Sequence, residues 1–155
     1  MLTGLGAELK QNKPFESLEA EAVLSIARTA AELEHEVAQA LKPHGLTPTQ
    51  YNVLRILRGA IQDGLCRNEV GERLVTRVPD VTRLLDRMED TSLISRERGS
   101  DDRRFVTTRI TRKGLDLVAM LDKPMHDLHH AQLGHMSKKT LRALIDALAE
   151  ARGKP

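Results

Sequence analysis

The sequence predicts a mainly α fold interrupted by one two-stranded hairpin, and three observations carry that reading. First, Val81, Leu84, Leu85 and Met88 fall at i, i+3, i+4 and i+7, so they form one apolar stripe on a helix. Second, the period changes to two further on. Ile94–Arg98 and Phe105–Thr111 read as short strands, with Val106, Thr108 and Ile110 alternating onto one face. Third, the strands are joined by Gly99-Ser100-Asp101-Asp102-Arg103-Arg104, and Thr111 is placed to cap a new helix beginning Arg112-Lys113-Gly114. Helix, hairpin with an arginine tip, helix is the order of a winged helix-turn-helix.

The remaining elements follow in chain order. Residues 1–16, with Gly4, Gly6 and Pro14 and little periodicity, are expected to form a loose arm. Ser17 is a candidate N-cap for one long helix, Leu18 to Leu41. Its stripe is Val23, Ile26, Ala27, Ala30, Leu33 and Val37, and Pro43, His44 and Gly45 end it. Thr47 caps the next helix, with Pro48 at its first position and Tyr51, Val53, Leu54, Ile56 and Leu57 as its apolar residues. Gly59 to Gly64 make a turn and Leu65-Cys66 a short strand edge. Arg67 to Val75 reads as a third helix, with Val70 and Leu74 inward, and Thr76-Arg77 as the turn into the next. That next helix is expected to start near Val78, with Pro79 in its first turn. Beyond Gly114, Leu115, Val118, Leu121, Met125, Leu128 and Leu133 continue a helical stripe. Pro124 inside it is expected to kink or break the helix, at about 3 kcal/mol if unrelieved. Ser137 caps a last helix with the stripe Leu141, Leu144, Ile145 and Leu148.

A chain of 155 residues is one domain by length, with room for a core. No apolar run approaches the roughly 18 residues of a membrane span. Residues 1–15 lack the pattern of a signal peptide, so the expected location is the cytoplasm and no membrane partner is expected. A single cysteine, Cys66, excludes an internal disulfide framework and a multi-cysteine zinc site. The net charge of +2 argues little, but its distribution argues more. Residues 1–50 hold four basic and seven acidic side chains, whereas residues 67–113 hold twelve basic and nine acidic. Eleven of the sixteen arginines lie in that second window, where a planar guanidinium suits phosphate and groove contacts.

The run Asp102-Arg103-Arg104-Phe105-Val106-Thr107-Thr108-Arg109-Ile110-Thr111-Arg112-Lys113-Gly114 resembles the wing signature of the MarR family of bacterial transcription regulators: Asp, any residue, Arg, a strand, then Leu/Ile-Thr-x-x-Gly. Upstream, Val81-Thr82-Arg83-Leu84-Leu85-Asp86-Arg87-Met88-Glu89 resembles the family's recognition helix, and Leu46-Thr47-Pro48-Thr49-Gln50-Tyr51 resembles the start of its second helix. The likeness covers residues 20 to 150. It implies a single domain over 1–155, with dimerisation helices at 17–42 and 115–151 and a winged helix DNA-binding lobe at 46–114. It also implies a homodimeric repressor on a pseudo-palindromic operator in double-stranded DNA. In the family the terminal helices of two chains intertwine. That would place two recognition helices about one DNA turn apart, roughly 34–36 Å.

In a helix-turn-helix the residues near the start of the second helix reach base edges. Here they are Asp80, Thr82 and Arg83, with Arg77 in the turn before them. Arg83 suits guanine O6 and N7, and Thr82 a phosphate or a thymine methyl. Asp80 can only accept a hydrogen bond, and it reads equally as a helix N-terminal charge favoured by the dipole. Asp86 and Arg87 read as internal salt-bridge partners. By resemblance, Asp102 braces Arg104, Arg104 enters the minor groove and Arg103 meets a phosphate; without the resemblance the tip is an exposed turn whose charges pair with one another. One departure stands out. The family usually has Gly before the Leu-Ile pair after the recognition helix, and this chain has Ser92, which implies a strained positive backbone angle there.

Three sensing chemistries are open. The resemblance implies a small apolar or aromatic anion held between the dimer helices and the DNA-binding lobe. Cys66 is the one thiol; peroxide sensors of the family carry theirs in the first helix, and a lone cysteine is commonly a small buried hydrophobe. His126 and His130 sit at i, i+4 beside His129, with Asp122, Glu34 or His35 as third-ligand candidates; without a third ligand they are surface or interface histidines, and no metal or other cofactor is expected. No glycine-rich phosphate loop and no Ser/His/Asp grouping appears, so no enzyme is expected. The competing class is a winged-helix protein-interaction module, against which the arginine wing argues.

Overall fold

The computed structural model describes residues 4–99 and 105–153. Its order is α1 (Leu5–Glu8), α2 (Leu18–Leu41), α3 (Pro48–Gly59), α4 (Arg67–Arg73), α5 (Val81–Asp90), β1 (Ile94–Arg98), β2 (Val106–Ile110), α6 (Arg112–Leu133) and α7 (Lys138–Ala151). The fold is mainly α with a two-stranded antiparallel wing, as expected. Within residues 4–16 one helical turn departs from the expected loose arm, closed by Glu8 N–H donating to Gly4 O and Leu9 N–H to Leu5 O.

Most boundaries are set by side-chain caps. Ser17, Thr47, Thr111 and Ser137 each accept a backbone N–H three residues on. At α3 the box is complete, since Gln50 Oε1 also accepts the Thr47 N–H at 3.0 Å. A 3₁₀ turn at Lys42–His44 and Gly45 in the left-handed region close α2.

Two boundaries differ from the expectation. α4 ends at Arg73 rather than Val75, because Leu74 turns extended and the Val75 N–H leaves the helix for Asn52 Oδ1 at 2.9 Å. α5 begins at Val81, and Pro79 lies before the helix rather than in its first turn. Proline disfavours helical backbone at Val78, and Asp80 captures the Arg83 N–H as the N-cap. Pro124 does not break α6, which runs unbroken from Arg112 to Leu133. Both Pro124 and Met120, whose carbonyl loses its donor, lie on the exposed side, where water can take that carbonyl.

The core is built by Val53, Leu54 and Leu57 of α3, Val70 of α4, Leu85 and Met88 of α5, Ile94 and Ile110 of the wing, and Val118, Leu121 and Met125 of α6. In the wing, Ile94 pairs with Ile110 and Arg98 with Val106. Leu65 adds a one-residue third strand, exchanging hydrogen bonds with buried Thr108 at 3.0 and 2.7 Å. Arg58 clamps α3 to α6 through a bidentate pair with Asp122 at 2.8 and 2.9 Å. The terminal helices are less covered. Leu18 of α2 is 80% exposed and Val23 64%, and α7 buries no residue.

α5 and the wing are joined by two devices. One is the turn after α5. Leu93 N–H donates to Met88 O and Ser92 N–H to Glu89 O, the paired bonds of a Schellman motif. Its left-handed position is Ser92, at φ +61°. The positive angle expected there is present, on a residue that pays for it where glycine does not. The other device is ionic. Glu89 accepts from the Arg96 backbone N–H at 2.9 Å and from its guanidinium at 3.0 and 2.6 Å, while Asp86 takes the same Nη2 at 2.6 Å. Hydrogen bonds from the Arg96 side chain hold the Glu89 carboxyl below its ordinary value of 4.5. Gly114 completes the junction, because a Cβ there would collide with Leu93 O.

Two outcomes are expected. Ser92→Gly relieves the left-handed strain, so the urea midpoint should rise, by up to about 1 kcal/mol of stability, with an unchanged denaturant slope; no rise would mean that Ser92 is not strained. Glu89→Gln should remove a pH-dependent part of stability. A depressed folded pKa stabilises fully at neutral pH, fades as pH falls through the ordinary value of 4.5, and is gone below the folded value. For a partly exposed pair the difference is about 0.2–1 kcal/mol. Unfolding curves of both proteins between pH 7 and pH 3 should converge at the acid end; parallel curves would sink the assignment.

Candidate nucleic-acid interface

α4, the 75–79 turn and α5 form the helix-turn-helix. Thr82 and Arg83 are exposed on the first turn of α5, and Arg77 is exposed in the turn before it. Among the described residues neither Arg77 nor Arg83 enters an ion pair. Their guanidinium groups are therefore not spent within the described fold.

Asp80 has a structural task. Its Oδ1 accepts the Arg83 N–H at 2.9 Å, so the carboxylate caps α5, the reading by which it is a charge favoured at a helix N-terminus. Asp86 is an internal ion-pair partner, as expected, but its partner is Arg96 of β1. Arg87, expected in the same role, makes no ion pair among the described residues.

The hairpin stays paired up to Gly99, whose N–H donates to Phe105 O at 2.8 Å. Asp102, Arg103 and Arg104 lie outside the described residues. On the strand itself Arg109 is engaged inward, its Nη1 donating to Gln62 O at 2.7 Å. Arg67, a residue the sequence reading passed over, opens α4 and donates through Nη1 to Thr82 Oγ1 at 3.1 Å. Thr82 Oγ1 is thus an acceptor for Arg67, which adds a cation beside the recognition helix. The position of Arg67 at a helix start three residues ahead of buried Val70 was visible; its partner, on another helix, was not.

Three concavities surround these elements. One of about 380 Å³ lies between α4, α5 and the wing, and Cys66, Arg67, Thr82, Arg96, Phe105 and Thr108 line it. A second, more open one of about 610 Å³ follows Arg67, Arg77, Pro79, Asp80 and Thr82. The third, about 500 Å³, lies between α2, α3, α6 and the turn before α5. Its wall is apolar at Leu33, Val37, Tyr51 and Met125 and polar at Asn52, Arg55 and His129.

The other sensing candidates are placed as follows. Cys66 is partly buried at the head of α4, where Glu69 already occupies the helix start by accepting the Cys66 N–H at 2.8 Å. That bond holds the Glu69 carboxyl below its ordinary value. Asp122, weighed as a third metal ligand, is taken bidentately by Arg58, which lowers its pKa. His129 faces Gln132 Oε1 at 3.2 Å, and His126 lies 3.5 Å from Asp127. Among the described residues no group of three His, Cys, Asp or Glu could hold a metal ion. Among them, too, no helix is long and apolar enough to cross a membrane.

Comparison with known proteins agrees with this geometry. A family model described as MarR family matches residues 44–104, which take in α3, α4, α5 and β1. The transcriptional regulator TtmR of Methylorubrum extorquens is 32% identical over 140 residues, which is 88% of this chain and 68% of that protein. The crystal structure of a MarR transcription factor from Planctomyces limnophilus is 35% identical, with a TM-score of 0.68 over 87% of this chain and 98% of its own. The MepR–DNA complex of S. aureus, 22% identical, shares the fold at a TM-score of 0.77 over 84% of this chain and 96% of that one. Helix-turn-helix, wing and relatives together place the chain in the MarR family, as a DNA-binding transcriptional regulator.

Proposed function

We propose that the protein is a homodimeric repressor that reads a pseudo-palindromic operator and is released by a small molecule. The observation that carries the reading is the leading turn of α5, where exposed Thr82 and Arg83 project beside Arg67 and Arg77 with no internal ion pair among the described residues. Arg83 reads a guanine edge and Thr82 a phosphate or base acceptor. Arg77 and Arg103 meet phosphates. Arg104, braced by Asp102, enters the minor groove.

The cavity between α2, α3 and α6 is the inducer site. Its volume of about 500 Å³ is that of a small-molecule pocket, and Arg55 among apolar walls suits an aromatic or apolar anion. Dimerisation falls to 17–42 and 115–151. The exposed Leu18, Val23 and Ile26 of α2 and Ile145 of α7 make apolar faces that a single chain leaves wet. This division leaves 46–114 as the DNA-binding lobe.

Two experiments test the proposal. Sedimentation at micromolar concentration should give a species of about twice 17.3 kDa; a stable 17.3 kDa species would remove the dimer. Arg83→Ala should cost about 1–3 kcal/mol on the operator and relax discrimination at one base position per half-site. Arg104→Ala should instead weaken most sequences, A-tracts most, and reduce the salt slope by about one unit per arginine lost. Titration of both variants against operator and scrambled duplex at two salt concentrations separates them. Undiminished discrimination by Arg83→Ala would end the base-reading role, and wild-type binding by Arg104→Ala would end the groove-reading role.

A further inference from the structure

The segment Val75–Pro79 links the two helices that dock on DNA, yet it is barely tied down. The last backbone bond of α4 runs from Leu74 N–H to Gly71 O, and the first of α5 from Leu84 N–H to Asp80 O. Between them, among the described residues, no backbone group of 75–79 bonds to another backbone group. The Val75 side chain is 89% exposed and contributes no packing. Among the described residues one hydrogen bond secures the segment: Val75 N–H to Asn52 Oδ1, 2.9 Å, across 23 residues of sequence.

Asn52 belongs to α3, between Tyr51 and Arg55, and the same carboxamide lines the cavity of about 500 Å³ together with Val75 and Thr76. A molecule in that cavity therefore touches both ends of the bond. If it rotates the carboxamide, an N–H2 replaces the acceptor opposite the Val75 N–H, and two donors then face each other. If it pushes Asn52 aside, the turn loses that tether.

We infer that Asn52 is the positioning residue that sets the recognition helix, and that occupancy of the cavity reaches DNA by breaking its bond to Val75. The inference rests on reading that cavity as the inducer site. It assigns the coupling to an element with two arrangements, turn tethered and turn released, which both sites bias.

The test uses the full-length protein and an operator selected by the wild type from a random duplex library. Asn52→Leu keeps the side-chain shape and removes the acceptor, whereas Asn52→Asp keeps the acceptor. Asn52→Leu should weaken operator binding about fivefold, the equivalent of one ordinary hydrogen bond, and leave scrambled duplex unchanged. Amide exchange at Val75 should quicken in the same variant. Asn52→Asp should restore slow exchange and the operator-to-scrambled ratio, which a merely structural role for Asn52 would not do. Val75→Pro removes the same bond from the donor side; Leu74, at ψ 138°, already has the backbone that proline demands of its predecessor.

Coupling is read by filling the cavity from the α2 wall with Ala30→Trp. It should weaken operator binding in the wild-type background and add little in the Asn52→Leu background, because both act on one bond. Wild-type discrimination and exchange in Asn52→Leu, or a fully additive Ala30→Trp, overturns the inference. An Ala30→Trp without effect in the wild-type background, beside an Asn52→Leu that does weaken binding, overturns the inducer reading of the cavity and with it the coupling. A wild type that selects no operator removes the DNA reading itself.

Discussion

One carboxylate makes the recognition helix and the wing a single body. Glu89 receives the backbone and the side chain of Arg96 at once, so α5 and β1 cannot rotate against each other without breaking three hydrogen bonds. The proposed reading of DNA by two elements in two grooves needs this rigidity, since an angular error at the junction grows with distance from it. The close approach that the brace demands is visible around it. Ser92 holds a left-handed angle, Thr111 Oγ1 and Lys113 Nζ donate to the carbonyls of Ser92 and Thr91, and Gly114 has no room for a side chain. Strain of this kind persists where its surroundings fix it from several sides.

The opposite end of the molecule is built on another balance. The chain has one closed core reaching from Leu41 to Met125, whereas much of the apolar surface of α2 and α7 faces solvent. The net charge follows the same division, positive in residues 67–113 with twelve basic against nine acidic side chains and negative in residues 1–50 with four against seven. Like-charge repulsion between two copies would be lower with the net-negative residues 1–50 brought together and the arginine faces turned outward.

Local chemistry made most of the fold legible. The caps Ser17, Thr47, Thr111 and Ser137 each fall where a short polar side chain precedes a periodic run, and the change of period at Ile94 exposed the wing. What escaped is what joins residues far apart in the chain. The end of α4 depends on Asn52, the placing of Thr82 on Arg67, and the seating of α6 on Arg58 with Asp122. A periodic stripe also cannot say whether it faces the core or a second chain: Val23 and Ile26 fit the pattern of α2 as well as Val37 does, but only Val37 packs on the core. For the site, the exposed arginines were readable from position, while the double reading of Asp80 needed the observed bond to Arg83.

α6 is the rod between the two ends. It starts at the wing base, where Thr111 caps it, and reaches α2 through Gln132 Nε2, which bonds Leu33 O at 3.1 Å and Glu36 at 2.9 Å. Its 22 residues span about 33 Å, and each residue adds about 1.5 Å of rise and about 100° of turn. A one-residue insertion between Gly114 and Gln132 would thus swing Gln132 away from both partners. The length of α6 is thus held by contacts at both of its ends, even though its outer face tolerates a residue as disruptive as Pro124.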